Sequence, residues 1–428
     1  MKTYLQVLIV SIMLCYLAFY YDPYTPTKIN PEQTKQLAQL IQPIRTIDPV
    51  DTNYHDLQFL KEKLKDVDIV MLGEQQHGDG STFLAKSRLI KYLHQELNFD
   101  VLLFESGIYD CSLLWNRILG NPTAKLKNFR EALFYFWGES NETKSLRTYI
   151  MQHAQSTSSL ILGGFDQQFS GDMSDSLRLN LMESYLAQKT IHFKKSYPSF
   201  LKILKNYHYN TYSSNRLTEA EKQAVFNEIE RLKTVLTRDI RTNEDQIFAR
   251  YILGIQTDLR SKWSYPGNSY KQGIIRDSLM AANVIWLKDH LYKNKRIIIW
   301  AANYHITYNS KRLNTPTDRA DKMGDYLRRK YNARCYGINF TSYSGTTYNV
   351  TTGEPNLINQ SISNSIESML HTMKQPFAFI DFRTTPKGSF LNEKVTMKFL
   401  GHNNHTERWS QMMDALFFID QMKPITFN

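Results

Sequence analysis

Short apolar runs alternate with longer stretches of helical period along most of this chain, and the first clear unit spans residues 67–111. Asp68-Ile-Val-Met-Leu72 is an apolar run with β-branched content, bounded by Gly73, and predicts a buried strand. Gly73 to Gly80 reads as a tight loop. Ser81 is then a candidate N-cap, and Ala85, Leu89, Leu93 and Leu97 repeat at i+4 along one helical face. A second apolar run, Val101-Leu-Leu-Phe104, ends in Glu105-Ser106-Gly107. Such a strand–helix–strand unit crosses over right-handed and makes its strands parallel, so both finish on one edge of the sheet.

The same alternation continues. Residues 26–60 carry Pro26, Pro31 and Pro43 around a short helical stretch and read as a lead-in wrapped over the main domain. Residues 112–157 read as helical, with Trp115, Leu119, Phe134, Phe136 and Trp137 as bulky apolar surface. Ser158 to Phe165 is a third strand, followed by Asp166. Arg296-Ile-Ile-Ile-Trp300 is a fourth, followed by Asn303-Tyr304-His305. A helix over 320–330 and strands over 334–341, Phe377 to Ile380 and Ala415 to Ile419 complete the series. Strands alternating with helices in this way predict an α/β fold: a doubly wound, mainly parallel sheet flanked by helices.

One stretch breaks the alternation. From Asp172 to Leu253 there is no glycine and a single proline, Pro198. Thr218-Glu-Ala-Glu221 has capping-box spacing, and Val225, Ile229, Leu232 and Leu236 follow at helical period. Residues 172–270 therefore read as a helical insertion lobe between two parts of the α/β core, 26–171 and 271–428. The extreme N-terminus differs again. Leu5 to Tyr21 is mostly apolar and resembles a secretory signal or an uncleaved anchor, so residues 1–25 are set apart from the fold. Export to the cell envelope, with a membrane tether through residues 5–21, is the corresponding expectation. Cys15 raises a lipoprotein alternative, which the large Leu14 opposes.

Composition narrows this further. The 428 residues, 42% of them hydrophobic, are enough for a sizeable core. A mean hydropathy of -0.44 and the lack of an internal 18-residue apolar run exclude a polytopic membrane protein. The formal charge of +11 comes from Lys and Arg scattered among Asp and Glu, which points to a basic solvated surface and away from nucleic acid. Three cysteines, Cys15, Cys111 and Cys335, exclude a disulfide framework, and Cys111 and Cys335 read as packed apolar residues.

Four strand ends in this reading deliver polar groups to one edge: Glu74 with His77, Glu105, Asp166, and Asn303 with His305. In open α/β sheets ligands bind at that edge. Histidine titrates near neutrality and can serve as a general base, with a carboxylate fixing its tautomer. Glu74 and His77, three residues apart on a short loop, can share a hydrogen bond. No Gly-x-Ser-x-Gly elbow and no loop cysteine is present, which argues against an acyl-enzyme. The inference is a water activated on His77, attacking an ester or similar carbonyl in a small molecule, with no cofactor. The chemical rival is a zinc site built from His77, His305 and one glutamate. Asp381 and the remaining histidines, His402 among them, read as caps, surface or packing residues, and Lys86 by itself as a surface lysine.

At these positions the chain resembles the erythromycin esterase family. The resemblance rests on Gly73-Glu74-x-x-His77-Gly78 with Lys86 nine residues on, Phe104-Glu105 with Cys111, and Gly164-Phe165-Asp166. It continues through Arg276-Asp277-x-x-Met280-Ala-x-Asn283, Trp300-Ala301-x-Asn303-x-His305, Met323-Gly324-x-x-Leu327 and Asp414-Ala-Leu-Phe-Phe-Ile419. It implies a macrolide-esterase-like fold with a cleft between core and helical lobe, and hydrolysis of an ester or lactone by water activated on His77. Glu74, Glu105 and His305 would assist, while Lys86, Asp166, Asn303 and Arg276 would bind substrate. The family's strand-end motif usually reads Trp-Ala-His-Asn-x-His, and Ala302 replaces its first histidine here, which turns expectation away from a macrolide. With the N-terminal anchor, Ala302 also motivates a functional rival: a non-catalytic relative that binds a glycan, lipid or peptide in the same cleft.

Overall fold

The computed structural model describes residues 29–120, 126–168, 170–171, 178–189, 217–238, 240–313 and 320–428. The expected leader, Cys15 included, lies outside the described residues. No described helix is long and apolar enough to cross a membrane.

The strands are β1 (Ile41–Pro43), β2 (Ile69–Leu72), β3 (Phe99–Gly107), β4 (Ile161–Asp166), β5 (Arg296–Trp300), β6 (Cys335–Tyr348), β7 (Pro355–Ile358), β8 (Phe377–Asp381), β9 (Val395–Phe399), β10 (Asn403–Glu407) and β11 (Ala415–Met422). The large sheet runs β1-β8-β11-β6-β2-β5-β3-β4, with β7 paired to β6 beside this path. From β11 through β4 every neighbour is parallel, whereas β8, β1 and β7 pair antiparallel. β9 and β10 form a separate hairpin.

The central strands read as unbroken apolar runs because both faces of the sheet are covered. Val70 and Leu72 of β2 face one core with Leu102, Phe104, Ile298 and Trp300, under helix α3 (Gly80–Leu97). Ile69 and Met71 point the other way, with Val101, Leu103, Ile297 and Ile299, against Met280 and Val284 of a long helix (Ser269–Trp286). Between β4 and β5 the described elements are all helical: Arg178–Gln188, Glu219–Arg238, Asn243–Ser264, Ser269–Trp286 and the π-helical turn Leu287–Leu291. The capping box forms as its spacing predicts, the Thr218 hydroxyl accepting from the Glu221 N–H (3.2 Å) and the Glu221 carboxylate from the Thr218 N–H (2.8 Å). Val225, Ile229, Leu232 and Leu236 are all buried in the second core.

Several boundaries differ from the sequence reading. α3 starts one residue before Ser81, with Asp79 at the N-cap position. The Ser81 hydroxyl instead accepts the Lys423 N–H (2.9 Å) and ties down the C-terminal segment. The 112–157 stretch is two helices, Ile108–Gly120 and Asn141–His153, with the short turn Tyr135–Gly138 between them. β4 begins at Ile161 and ends at Asp166, with Leu160 buried just ahead of it. Glu105 lies inside β3, which runs on through a register shift to Gly107. β6 continues past 341 to Tyr348 and returns as β7, and the β9–β10 hairpin was not anticipated because β10, Asn403-Asn-His-Thr-Glu407, carries no apolar alternation. Cys111 and Cys335 are buried free thiols, as their reading required.

Candidate active site

The loop after β2 is shaped by close backbone approach. A Cβ on Gly73 would come within 2.0 Å of Asn303 Oδ1, and one on Gly78 within 1.8 Å of the Tyr348 carbonyl, so both positions accept only glycine. This packing fixes where Glu74 and His77 emerge.

Glu74 is fully buried and its carboxylate collects three donors. Oε1 accepts from His77 Nδ1 (2.8 Å) and Trp137 Nε1 (3.2 Å), and Oε2 from Lys86 Nζ (2.7 Å). Lys86 is itself fully buried in α3, gives a further bond to the Ala301 carbonyl (3.3 Å) and lies 4.1 Å above the centre of the Trp300 ring. Burial lowers its pKa to about 8 despite the pull of Glu74. The sequence alone placed Lys86 on the surface, and the family resemblance moved it to the site; the structure puts it in the core, holding Glu74 and shielded from any ligand.

His77 is the accessible member of this group, with about 32% of its side chain exposed. Its ring stacks on Phe136 (centroids 4.9 Å, planes 7° apart) and meets the edge of Trp137 (5.2 Å). With Nδ1–H given to Glu74, Nε2 carries a lone pair, and no described residue hydrogen-bonds to it.

The second group is built on Arg276, from the helix Ser269–Trp286. Its guanidinium binds Asp166 through Nε (3.1 Å) and Nη2 (2.5 Å), and Glu105 through Nη2 (2.7 Å). His305 joins by Nδ1 to Asp277 (2.7 Å) and Nε2 to Glu105 (3.2 Å). Burial would lower the His305 pKa, but Glu105 and Asp277 outweigh it and raise it to about 9. Both ring nitrogens therefore donate at neutral pH, and Arg276 Nη1, 3.1 Å from Nε2, is a neighbouring cation held by shared carboxylates. Burial would raise the Glu105 pKa, yet the charges of His305 and Arg276 hold it well below the usual range.

The exit of β5 laces the two groups together. The Ala302 N–H donates to Glu105 Oε2 (3.0 Å) and the Asn303 N–H to the Glu74 carbonyl (2.7 Å). The Asn303 side chain, expected to bind substrate, is buried and spent on the Phe340 backbone, its Nδ2 donating (2.9 Å) and its Oδ1 accepting (3.1 Å). It is a clamp between strands. Asp166 is likewise buried and serves to hold Arg276. Among the described residues no three His, Cys, Asp or Glu side chains are grouped to hold a metal. The His77–His305 zinc reading lacks its geometry there, since each histidine is turned onto its own carboxylate.

Two partners were missed. Trp137 was read only as apolar bulk, and its indole N–H on Glu74 left no trace in the sequence. Asp277 was visible beside Arg276, and its place three and four residues before Met280 and Ala281 on a helix gave no hint that it would meet His305.

A mainly parallel sheet with helices on both faces and a polar cluster at its carboxyl edge defines an α/β fold with its candidate site at the strand ends. The profile of the erythromycin esterase family matches residues 94–422, and the chain belongs to that family. It is accordingly a hydrolase of that family. The match begins after Glu74, His77 and Lys86 and includes Glu105, Asp166, Arg276, Asn303 and His305. The chain is 27% identical over 410 residues to the "Putative hydrolase YbfO" of Bacillus subtilis (strain 168), covering 88% of this chain and 89% of that protein. It is 21% identical over 327 residues to erythromycin esterase type II of Escherichia coli, covering 69% and 74%. A mutant of the erythromycin esterase EreC in its open conformation superposes with a TM-score of 0.69 at 16% identity, over 90% of this chain and 98% of that one.

Proposed function

We propose that the protein hydrolyses a small-molecule ester or lactone by water activated on His77. The observation that carries this reading is the His77 ring itself: Nδ1 anchored on buried Glu74, Nε2 without a partner among the described residues, and about a third of the side chain open. A base must be neutral before it acts and stabilised once protonated. Four carboxylates (Glu74, Glu105, Asp166, Asp277) and three cations (Lys86, Arg276, His305) leave one negative charge, which a proton on His77 balances. His305 and Arg276, cationic at neutral pH, supply positive charge for the oxyanion that forms as water adds to the carbonyl. Glu105 keeps those two cations together.

Ala302 stands where the family motif has a further histidine, and it has no polar side chain, its N–H being given to Glu105 and its carbonyl accepting the His305 N–H. We therefore propose a substrate other than a macrolide. Screening ester and lactone substrates against wild type and His77→Asn tests the assignment. Turnover should be lost in the variant while its thermal unfolding stays close to wild type, and near-wild-type turnover would show that His77 is not the base.

A further inference from the structure

Gln75 and Gln76 lie in the loop beside His77, and no step of the hydrolysis uses them. Both reach the turn between β9 and β10. Gln75 Oε1 accepts the His402 N–H (3.0 Å) and Nε2 donates to the Lys398 carbonyl (2.8 Å), while Gln76 Nε2 donates to the Gly401 carbonyl (3.4 Å). Asp79 accepts from His402 Nε2 (3.1 Å) and from the Gln76 N–H (3.1 Å). His402, read from sequence as a surface or packing residue, is thus a buried anchor with 4% of its side chain exposed.

The turn needs these anchors. Leu400, Gly401 and His402 have φ of 52°, 74° and 64°, so two consecutive-but-one side-chain-bearing residues occupy left-handed backbone. Such conformations cost energy and persist where the surroundings over-determine them, commonly at ligand sites.

Between this turn, the β6–β7 hairpin and Gln76 lies a cavity of about 320 Å³, at the small end of the range for ligand pockets. Asn356, Asn359, Gln360 and Asn404 line it, and no Asp or Glu does. Thr347, 1% exposed, is also on the wall, and its buried hydroxyl has no hydrogen-bond partner. The two basic residues present are already committed. Lys398 Nζ donates to the Tyr343 (2.6 Å) and Asn359 (2.5 Å) carbonyls, and the His402 ring is held by Asp79. What remains for a ligand is amide, a group that donates and accepts at once, as an alcohol does.

We propose that this cavity is a subsite for an uncharged, hydroxyl-rich unit, a sugar or polyol, carried by the ester on which His77 acts. The proposal rests on the hydrolase reading above for the ester and on the cavity alone for the sugar. Saturation-transfer NMR with methyl glucoside, methyl galactoside and glycerol, set against methyl glucuronide and glucose 6-phosphate, separates the two. Transfer to a neutral probe should occur in wild type and in His77→Asn alike. It should weaken about tenfold in Asn404→Ala, an exposed position. No transfer to any neutral probe, preference for the anionic probes, or indifference to that variant would overturn the subsite. In turnover, Asn404→Ala should raise KM about tenfold for an acetyl ester of methyl glucoside with kcat unchanged, and leave ethyl acetate unaffected; an equal KM for wild type and variant on the sugar ester would break the link to His77. Retained turnover in His77→Asn beside normal sugar binding would remove the base and leave the subsite standing.

Discussion

Two histidines sit at neighbouring strand ends of the same sheet, each bound to carboxylate, and their surroundings differ. His305 is buried against two carboxylates, Asp277 and Glu105, and its pKa is raised to about 9. His77 has one carboxylate, whose oxygen it shares with Trp137 and whose charge Lys86 already balances. The comparison teaches that the charge of two carboxylates outweighs burial and keeps the more buried imidazole, His305, a cation. His305 is suited to stabilise negative charge and His77 to accept a proton.

The sharpest way to break that division is at the base. His77→Asn should lower kcat/KM by about 10²- to 10⁴-fold, the usual weight of a general base, with KM little changed. Steady-state kinetics on any substrate found will read this out. Asp277→Asn, by contrast, should leave measurable activity, because it weakens the charge on His305 and spares the proton acceptor.

The next effect is on stability. Glu74 and Lys86 are both without exposed surface, so Glu74→Gln strands a buried ammonium and should cost about 3–5 kcal/mol in denaturant unfolding. Adding Lys86→Met to Glu74→Gln should recover most of that loss and none of the activity. A double variant as unstable as the single one would mean that the pair acts through packing, not charge.

How much of this was readable beforehand follows from what each residue's neighbours contribute. The central strands were legible because doubly covered parallel strands are continuous apolar runs, and Glu74, Glu105, Asp166 and His305 were legible because they stand at or next to the ends of those runs. Lys86 looked like a surface lysine by itself, since its burial depends on a carboxylate twelve residues earlier that only the folded crossover brings beneath it. Asn303 looked like a ligand group and is a strand clamp, because its partner Phe340 comes from a distant strand. β10 and the 400–402 turn were invisible for the opposite reason: they bury little, and side-chain bonds from Gln75, Gln76 and Asp79 hold them instead of an apolar pattern.

A smaller effect lies in the pH dependence of stability. The folded pKa of His305, about 9, exceeds its ordinary value of 6.5, so its contribution is fully present below about 6.5 and is lost as pH rises through 9. The shift corresponds to about 3 kcal/mol. Lys86 acts with the opposite sign: its folded pKa, about 8, lies below 10.5, and stability from it rises only above about pH 8. The clean window is therefore pH 6.5 to 8, where wild type should lose stability with rising pH. Asp277→Asn removes one of the two carboxylates, lowers the folded pKa and should flatten that slope. Urea unfolding at half-unit pH steps measures it, and an unchanged slope would show that His305 is not the cation.

The smallest expected change tests the shared oxygen. Trp137 Nε1 and His77 Nδ1 both donate to Glu74 Oε1, so each weakens the other's bond. Trp137→Phe removes the competing donor and keeps an aromatic edge against the imidazole. Glu74 then supports the protonated His77 more strongly. The acidic limb of the kcat/KM profile should move to higher pH, with the plateau little altered. His77 titrated by NMR in the same variant must shift with it. A limb that moves without the imidazole would assign the acidic limb to another group, and a limb that moves to lower pH would mean that Trp137 orients Glu74 toward His77 instead of competing for it.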